Sequence, residues 1–189
     1  KELRTALSEA AVRLAEEGEY RNLGTVEFLV LEEAFFFIEV NARLQVEHTV
    51  TEEVSGIDLV QLQLEIARGR SLAELGCAQA DVPWPRGFAI QARVNMETMA
   101  ADGTTKPSGG LLSAFEVPSG PGVRTDTFGY AGYQTSPNFD SLLAKVIGHS
   151  SAGFEAAAKR VRSALADFRI EGVETNSVFL QALLRHPDV

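Results

Sequence analysis

Residues 37–48 read FIEVNARLQVEH, and the strict alternation of apolar and polar side chains over that run constrains the fold more than any other feature of the chain. A period of two sends successive side chains to opposite faces of a strand. Ile38, Val40, Leu44 and Val46, with Ala42 among them, take one face, while Glu39, Asn41, Arg43, Gln45 and Glu47 take the other. A second β-rich run, TVEFLVL at residues 25–31, comes just before, and the acidic residues Glu32 and Glu33 separate it from the FFFIEV of residues 35–40. Two such runs around a short polar break predict an antiparallel hairpin.

The hairpin brings chemistry together. With the turn centred on Glu33, residue i faces residue 66 − i, so Glu27 falls opposite Glu39. Directly opposed side chains have Cβ atoms about 5 Å apart, and like charges there are destabilising. Glu27 otherwise stands among Val26, Phe28, Leu29 and Val30. Two converging carboxylates with Asn41 beside them make a hard-oxygen site for Mg²⁺ or Mn²⁺, ions that take few protein ligands and leave room for phosphate oxygens. The alternatives are a carboxyl with a raised pKa, or a register slipped by one residue, which parts the two acids. A half-buried strand with a solvated outer face is the plainest reading of all, but such faces draw on Lys, Thr and Ser, and this one has none. Further along the same face, the guanidinium fork of Arg43 suits a small planar oxyanion. Glu47 suits a general base if it is partly desolvated. On a straight strand it lies about 26 Å from Glu39, so the chain is expected to bend or coil after Gln45 to bring it back over the anion. His48 points to the opposite face and reads as structural, and His149 and His186 stand alone.

The remaining elements follow from periodicity. Leu3, Leu7, Ala10, Ala11 and Leu14 recur at helical spacing, with Gly18 after the end. The chain starts with Lys1 inside this pattern, which suggests a piece of a longer polypeptide. Residues 49–55 are polar and β-branched, and Asp58 with Gln61 predicts a capped helix start bearing Leu59, Leu62 and Ile66. Pro83-Trp84-Pro85 breaks any regular element, so two domains are expected, 1–84 and 85–189. Beyond the break, strands are expected at 88–95, within 123–133 and at 142–147. A helix should open at Ser151 and carry Phe154, Ala158, Val161, Leu165 and Phe168, and a last helix should follow Asn176. The class is α+β, with antiparallel strands in both halves. A net charge of −9 argues against a nucleic-acid partner gripped by bulk positive charge. The single cysteine, Cys77, excludes a disulfide framework within the chain and a cysteine metal cluster. No apolar run approaches the ~18 residues of a membrane span, and no signal peptide opens the chain. A cytoplasmic setting is expected.

GTVEFLV (residues 24–30) and FIEVNARLQVEHTVTEEVSGIDLV (37–60) resemble the second half of the ATP-grasp domain of biotin carboxylases. GFAIQARVN (87–95), residues 119–133, PNFDSLLAK (137–145) and FRIEGVETN (168–176) resemble the C-terminal domain of the same enzymes. The resemblance implies an ATP-grasp part, an antiparallel sheet with helices, over 1–84, and an α+β biotin carboxylase C-terminal domain over 85–189. It implies ATP- and bicarbonate-dependent carboxylation of biotin through carboxyphosphate. Position by position, Glu27 and Glu39 would hold the Mg²⁺ or Mn²⁺ that bridges ATP phosphates, with Asn41 assisting, and Leu29 and Ile38 would pack near the nucleotide. Arg43, Gln45 and the backbone of Val46 would bind bicarbonate, and Glu47 would deprotonate it. Arg93 would stabilise charge on the biotin ureido oxygen, a role that rests on the resemblance alone. Arg124 matches a position at the dimer interface of bacterial members.

The family's glycine-rich phosphate loop and nucleotide-binding lysines have no counterpart ahead of Gly24, and no Met-Lys-Met biotinylation sequence is present. The resemblance therefore implies a part of the enzyme that is inactive alone. Its partners would be the N-terminal part of the same carboxylase, a separate biotin carrier domain and further copies in a homo-oligomer. Around Arg93 the sequence departs from the family, with Asn95-Met96-Glu97-Thr98 leading into a longer loop. PSGPGV and TDTFGYAGY lean toward acyl-CoA carboxylases and DFRIEGVETN toward pyruvate carboxylase, which leaves the acceptor open. The competing readings are a carbamoyl-phosphate synthetase-like ATP-grasp ligase, and a non-catalytic dimerisation or scaffold module.

Overall fold

The apolar stripe of the first residues forms α1 (Glu2–Glu17), and the two β-rich runs pair antiparallel as β1 (Thr25–Leu31) and β2 (Ala34–Asn41). This computed structural model describes residues 2–32 and 34–189; the expected turn centre, Glu33, and the first residue, Lys1, lie outside them. The chain divides into two compact units. One contains the residues up to His48 together with Gly56–Trp84, and the other contains Thr49–Ser55 together with Pro85–Val189.

In the first unit, β1 and β2 form a sheet of their own. Near the turn Leu31 pairs with Ala34 and Phe28 with Phe37, so partners sum to 65; past Ile38 the sum becomes 66 and Glu27 pairs with Glu39. The expected opposition is therefore present, reached through a bulge instead of a turn centred on Glu33. Ile38 is the extra residue, so the simple alternation that grouped it with Val40 fails there. The third helix of the chain, α3 (Leu59–Ala67), starts where expected: the Asp58 carboxylate accepts the Gln61 N–H at 2.8 Å and caps the helix. Of the described hydrophobic residues in this unit, only Ala10 is buried.

The second unit holds the core. Its main sheet has the order β3 (Phe88–Asn95), β8 (Leu142–Ser150), β7 (Val123–Thr127), all antiparallel. One face, with Ala92, Val94, Ala144 and Val146, packs on Val161, Ala164 and Leu165 of α4 (Phe154–Asp167) and on Phe168. Small two-stranded sheets flank it: β4 (Glu97–Met99) with β5 (Thr105–Pro107), and β6 (Ala114–Glu116) with β9 (Arg169–Glu171). Phe168, expected on the helix, is instead the extended residue that ends α4 and leads into β9. Of the short strands expected within 123–133, β7 forms and the rest is loop. The final helix is α5 (Ser177–Leu183).

The stretch expected to extend the hairpin differs most. Strand β2 stops at Asn41, and His48–Ser55 is a helix, α2, although its residues are mostly poor helix formers. Tertiary contacts outweigh propensity: Thr49 is fully buried with its hydroxyl on Gln91, and Glu52 is buried against Arg124. All pairings are antiparallel, and the α+β class holds.

Candidate functional site

The opposed carboxylates are joined by an amide. Asn41 Nδ2 donates to Glu27 Oε1 at 2.8 Å and to Glu39 Oε1 at 3.1 Å, and Gln45 Nε2 returns to the same Glu27 oxygen at 3.2 Å. Two amide donors on one carboxylate oxygen blunt the repulsion that opposed acids would otherwise suffer. Glu27 is half-buried and Glu39 exposed. The structure thus brings together Glu27, Glu39, Asn41 and Gln45. Leu29 shares the Glu27 face of β1 and is 50% exposed; Ile38, at the bulge, is 54% exposed.

The expectation that Asn41 and Arg43 continue the strand face, with a bend only after Gln45 to bring Glu47 back, is corrected. A bend is present, but it falls earlier, because β2 ends at Asn41. The Arg43 N–H donates to the Asn41 carbonyl at 2.8 Å, which bends the chain immediately after β2. The His48 N–H donates to the Gln45 carbonyl at 3.2 Å, and His48 Nδ1 lies 2.8 Å from the same oxygen. Val46 and Glu47 form the turn into α2, with Glu47 half-buried and Val46 exposed. Arg43 is exposed, and its Nη1 donates to the Leu44 carbonyl at 3.3 Å. Apolar Leu44 and Val46 imitate strand periodicity, but in the fold they belong to a bend closed by local backbone bonds.

The donor set suits a hard divalent cation. Two carboxylates are few ligands, as Mg²⁺ requires when phosphate oxygens complete its shell. The Asn41 oxygen would join them once its amide, whose Nδ2 now bonds both acids, turns over. Among the described residues no group of three or more His, Cys, Asp or Glu converges on one point.

Arg93 belongs to the second unit. It is exposed on β3, pairs across the ladder with Lys145, and shares a sheet face with Gln91, Arg124 and Asp126. Arg124 engages charges of this unit: Nη1 donates to Glu52 at 2.7 Å, and Nε and Nη2 grip both Asp126 oxygens at 2.8 and 3.1 Å. Hydrogen bonding to Asp126 and Glu52 outweighs partial burial and strengthens the hold of Arg124 on its proton. Burial pushes the Asp126 carboxyl up, but Arg124 and Lys145, whose Nζ lies 3.2 Å away, more than offset it and hold Asp126 below its usual range. Glu52 and Asn176 are not singled out by the sequence; a buried carboxylate in a helix of poor formers, and an Asn before a helix that its side chain does not cap, are signals visible only with the partners in place.

A family model described as "Biotin carboxylase C-terminal domain" matches residues 91–189, more than half of the chain. The chain belongs to the biotin carboxylase family. A second model, "Carbamoyl-phosphate synthase L chain, ATP binding domain", matches residues 1–75. The carbamoyl-phosphate alternative draws on that first part alone, whereas the larger match places the chain as the C-terminal region of a biotin carboxylase, of the pyruvate or acyl-CoA carboxylase type. Pyruvate carboxylase of Pichia angusta is 46% identical over 98% of this chain and 16% of its own length. A solved single-chain, multi-domain long-chain acyl-CoA carboxylase superposes with a TM-score of 0.93 at 49% identity, over 99% of this chain and 20% of that one. The biotin carboxylase domain of a single-chain bacterial carboxylase gives a TM-score of 0.88 at 51% identity, over 98% and 42%. This biotin carboxylase chain therefore spans about a sixth of the curated relatives it matches. No described helix is long and apolar enough to cross a membrane.

Proposed function

We propose that this chain works as the metal- and bicarbonate-handling part of a biotin carboxylase, which carboxylates biotin with ATP and bicarbonate. The observation that carries the reading is the Glu27–Glu39 opposition with Asn41 between the carboxylates and Gln45 turned back onto Glu27. Residues 1–84 would supply part of the ATP-grasp domain and 85–189 the C-terminal domain. Glu27 and Glu39, with Asn41, would hold Mg²⁺ or Mn²⁺, which supplies charge neutralisation at the ATP phosphates when bound. Leu29 and Ile38 would offer apolar contact to the nucleotide.

Arg43 and Gln45, with the Val46 backbone, would orient bicarbonate, and Glu47 would accept its proton as the oxygen attacks the γ-phosphorus. ADP leaves and carboxyphosphate forms. The carboxyphosphate would then split into CO₂ and inorganic phosphate beside the ureido nitrogen of biotin. The phosphate would take the N–H proton, the nitrogen would bond to CO₂, and Arg93 would balance the charge on the ureido oxygen. The bend at Arg43 supports this division of work, because it turns Gln45 back toward the carboxylates and leaves Glu47 at the entrance to a helix. Biotin would arrive on a separate carrier domain, the nucleotide would be enclosed by the N-terminal part of the same enzyme, and the enzyme would assemble as a homo-oligomer in the cytoplasm. The isolated chain would be inactive.

The test is Glu47→Gln in the intact carboxylase, which keeps shape and removes the base. Biotin-dependent turnover should fall ~10²–10⁴-fold. Arg43→Ala should raise the bicarbonate requirement and slow the reaction, with nucleotide affinity little changed. Normal carboxylation by the Glu47→Gln enzyme would transfer the base role to another group.

A further inference from the structure

Among the described residues, strand β3 lies at the edge of its sheet, with β8 as its one neighbour. Edge strands carry unsatisfied backbone groups, and buried ones must be paired. At residues 93–95 one asparagine does this. The Asn95 N–H donates to Asn176 Oδ1 at 2.9 Å, Asn176 Nδ2 donates to the Arg93 carbonyl at 3.2 Å, and the Asn176 N–H donates to the Asn95 carbonyl at 3.1 Å. The second Nδ2 hydrogen faces Glu97 Oε1 at 3.4 Å, an oxygen that also receives Asn95 Nδ2 at 3.4 Å.

The amide orientation is fixed by its surroundings: Asn95 presents a donor, and Arg93 and Glu97 present acceptors. Asn176 is 8% exposed and more than 80 residues away in sequence, so this is a tertiary clamp. It also stands at the N-cap of α5, where an Asn side chain ordinarily bonds a helix N–H, and makes no such bond. The side chain is diverted to β3. The clamp falls where the β3–β8 register shifts, between Val94 and Asn95, a place where the ladder alone holds the backbone least firmly.

We propose that Asn176 is the positioning residue for Arg93, fixing the outer edge of β3 on both sides of the bulge so that the guanidinium is presented in one place. The proposal rests on the reading of Arg93 as the group that meets biotin. Asn176 touches no reacting atom and acts through the backbone of Arg93.

The experiment is a double-mutant cycle in the intact carboxylase, with kcat/KM for free biotin as the readout. Asn176→Ala should lower it ~10–100-fold, the scale of an ångström-sized misplacement of a catalytic group, while KM for ATP is kept. Asn176→Asp keeps the size and the acceptor for Asn95 but loses the donors to Arg93 and Glu97, and should show the same loss. In an Arg93→Ala background, Asn176→Ala should cost nothing further, because a residue that acts through Arg93 has nothing left to position. A structural role would lower activity equally in both backgrounds, and that additivity would overturn the proposal. So would an Asn176→Asp enzyme with normal kcat/KM for biotin. If Asn176→Ala does not fold, Asn176→Ser replaces it in the cycle, and failure of both to fold overturns the proposal. Impaired Arg93→Ala with normal Asn176→Ala defeats the proposal alone, whereas normal biotin turnover by Arg93→Ala removes the reading beneath it.

Discussion

Strands β2 and β8 are nearly the same length, eight and nine residues, and both are largely apolar, yet the chain treats them in opposite ways. β8 has β3 and β7 as neighbours and α4 across one face, and Leu143, Ala144, Val146 and Ile147 are at most 1% exposed. Among the described residues β2 has β1 alone, and Phe36, Phe37 and Ile38 are each 54–55% exposed. Charges differ as well. The sheet of β8 neutralises Arg124 and Lys145 with Asp126 and Glu52, while the hairpin opposes two acids and softens them only with amides. Apolar content tells that a strand has surface to cover, and charge pairing tells whether the charged groups serve stability. By both measures the sheet is built for stability, whereas the hairpin keeps groups that a stable fold would not choose.

The contrast can be broken in four ways. Leu165, 1% exposed on α4, should cost ~2–5 kcal/mol when cut to Ala, by denaturant titration, whereas Leu29→Ala in the hairpin should cost well under that. Equal costs would mean that the hairpin is covered after all. Gly148 lies on β8 where an added Cβ would sit 2.6 Å from Val161 Cγ2, so Gly148→Ala should overpack the core by ~1–3 kcal/mol, read as a lowered denaturation midpoint.

Asp126 gives a pH signature. Its folded pKa is depressed, so the stability it contributes is present above its unfolded value, ~3.9, and is lost as pH falls through the folded value. Asp126→Asn should therefore be less stable than wild type near neutrality, with the difference closing in acid. In the hairpin the sign reverses: Glu39→Gln removes a like-charge opposition and should stabilise the chain by ~0.2–1 kcal/mol. A destabilising Glu39→Gln would show that the amide bridge outweighs the repulsion.

Much of this is legible in the amino-acid sequence. The Glu27–Glu39 opposition follows from two apolar runs and a short acidic break, and Asp58 announces the start of α3 because a cap is a local event. Strand β3 is delimited to the residue by its alternation. The features that the sequence hides are decided by distant partners. Thr49 and Glu52 turn a β-branched stretch into α2 through Gln91 and Arg124, and nothing within residues 48–55 says so. The bend at Arg43 is hidden because Leu44 and Val46 keep the strand rhythm after the hydrogen bonding has changed. Arg93 carries no local signal, and the clamp that holds its backbone lies at Asn176.

Ile38 gives the hairpin one residue more than its ladder uses. Phe37 already pairs with Phe28 and Glu39 with Glu27, so a chain lacking Ile38 would run as a regular ladder with every one of those partners unchanged. An in-frame deletion of that single codon should then leave the opposed acids where they are and relax the local twist. Genes usually punish the loss of a residue in mid-strand, because every side chain beyond it changes face. Here the punishment is lifted, and whatever an enzyme lost with Ile38 would measure what that one side chain, and the kink it makes, had been kept for.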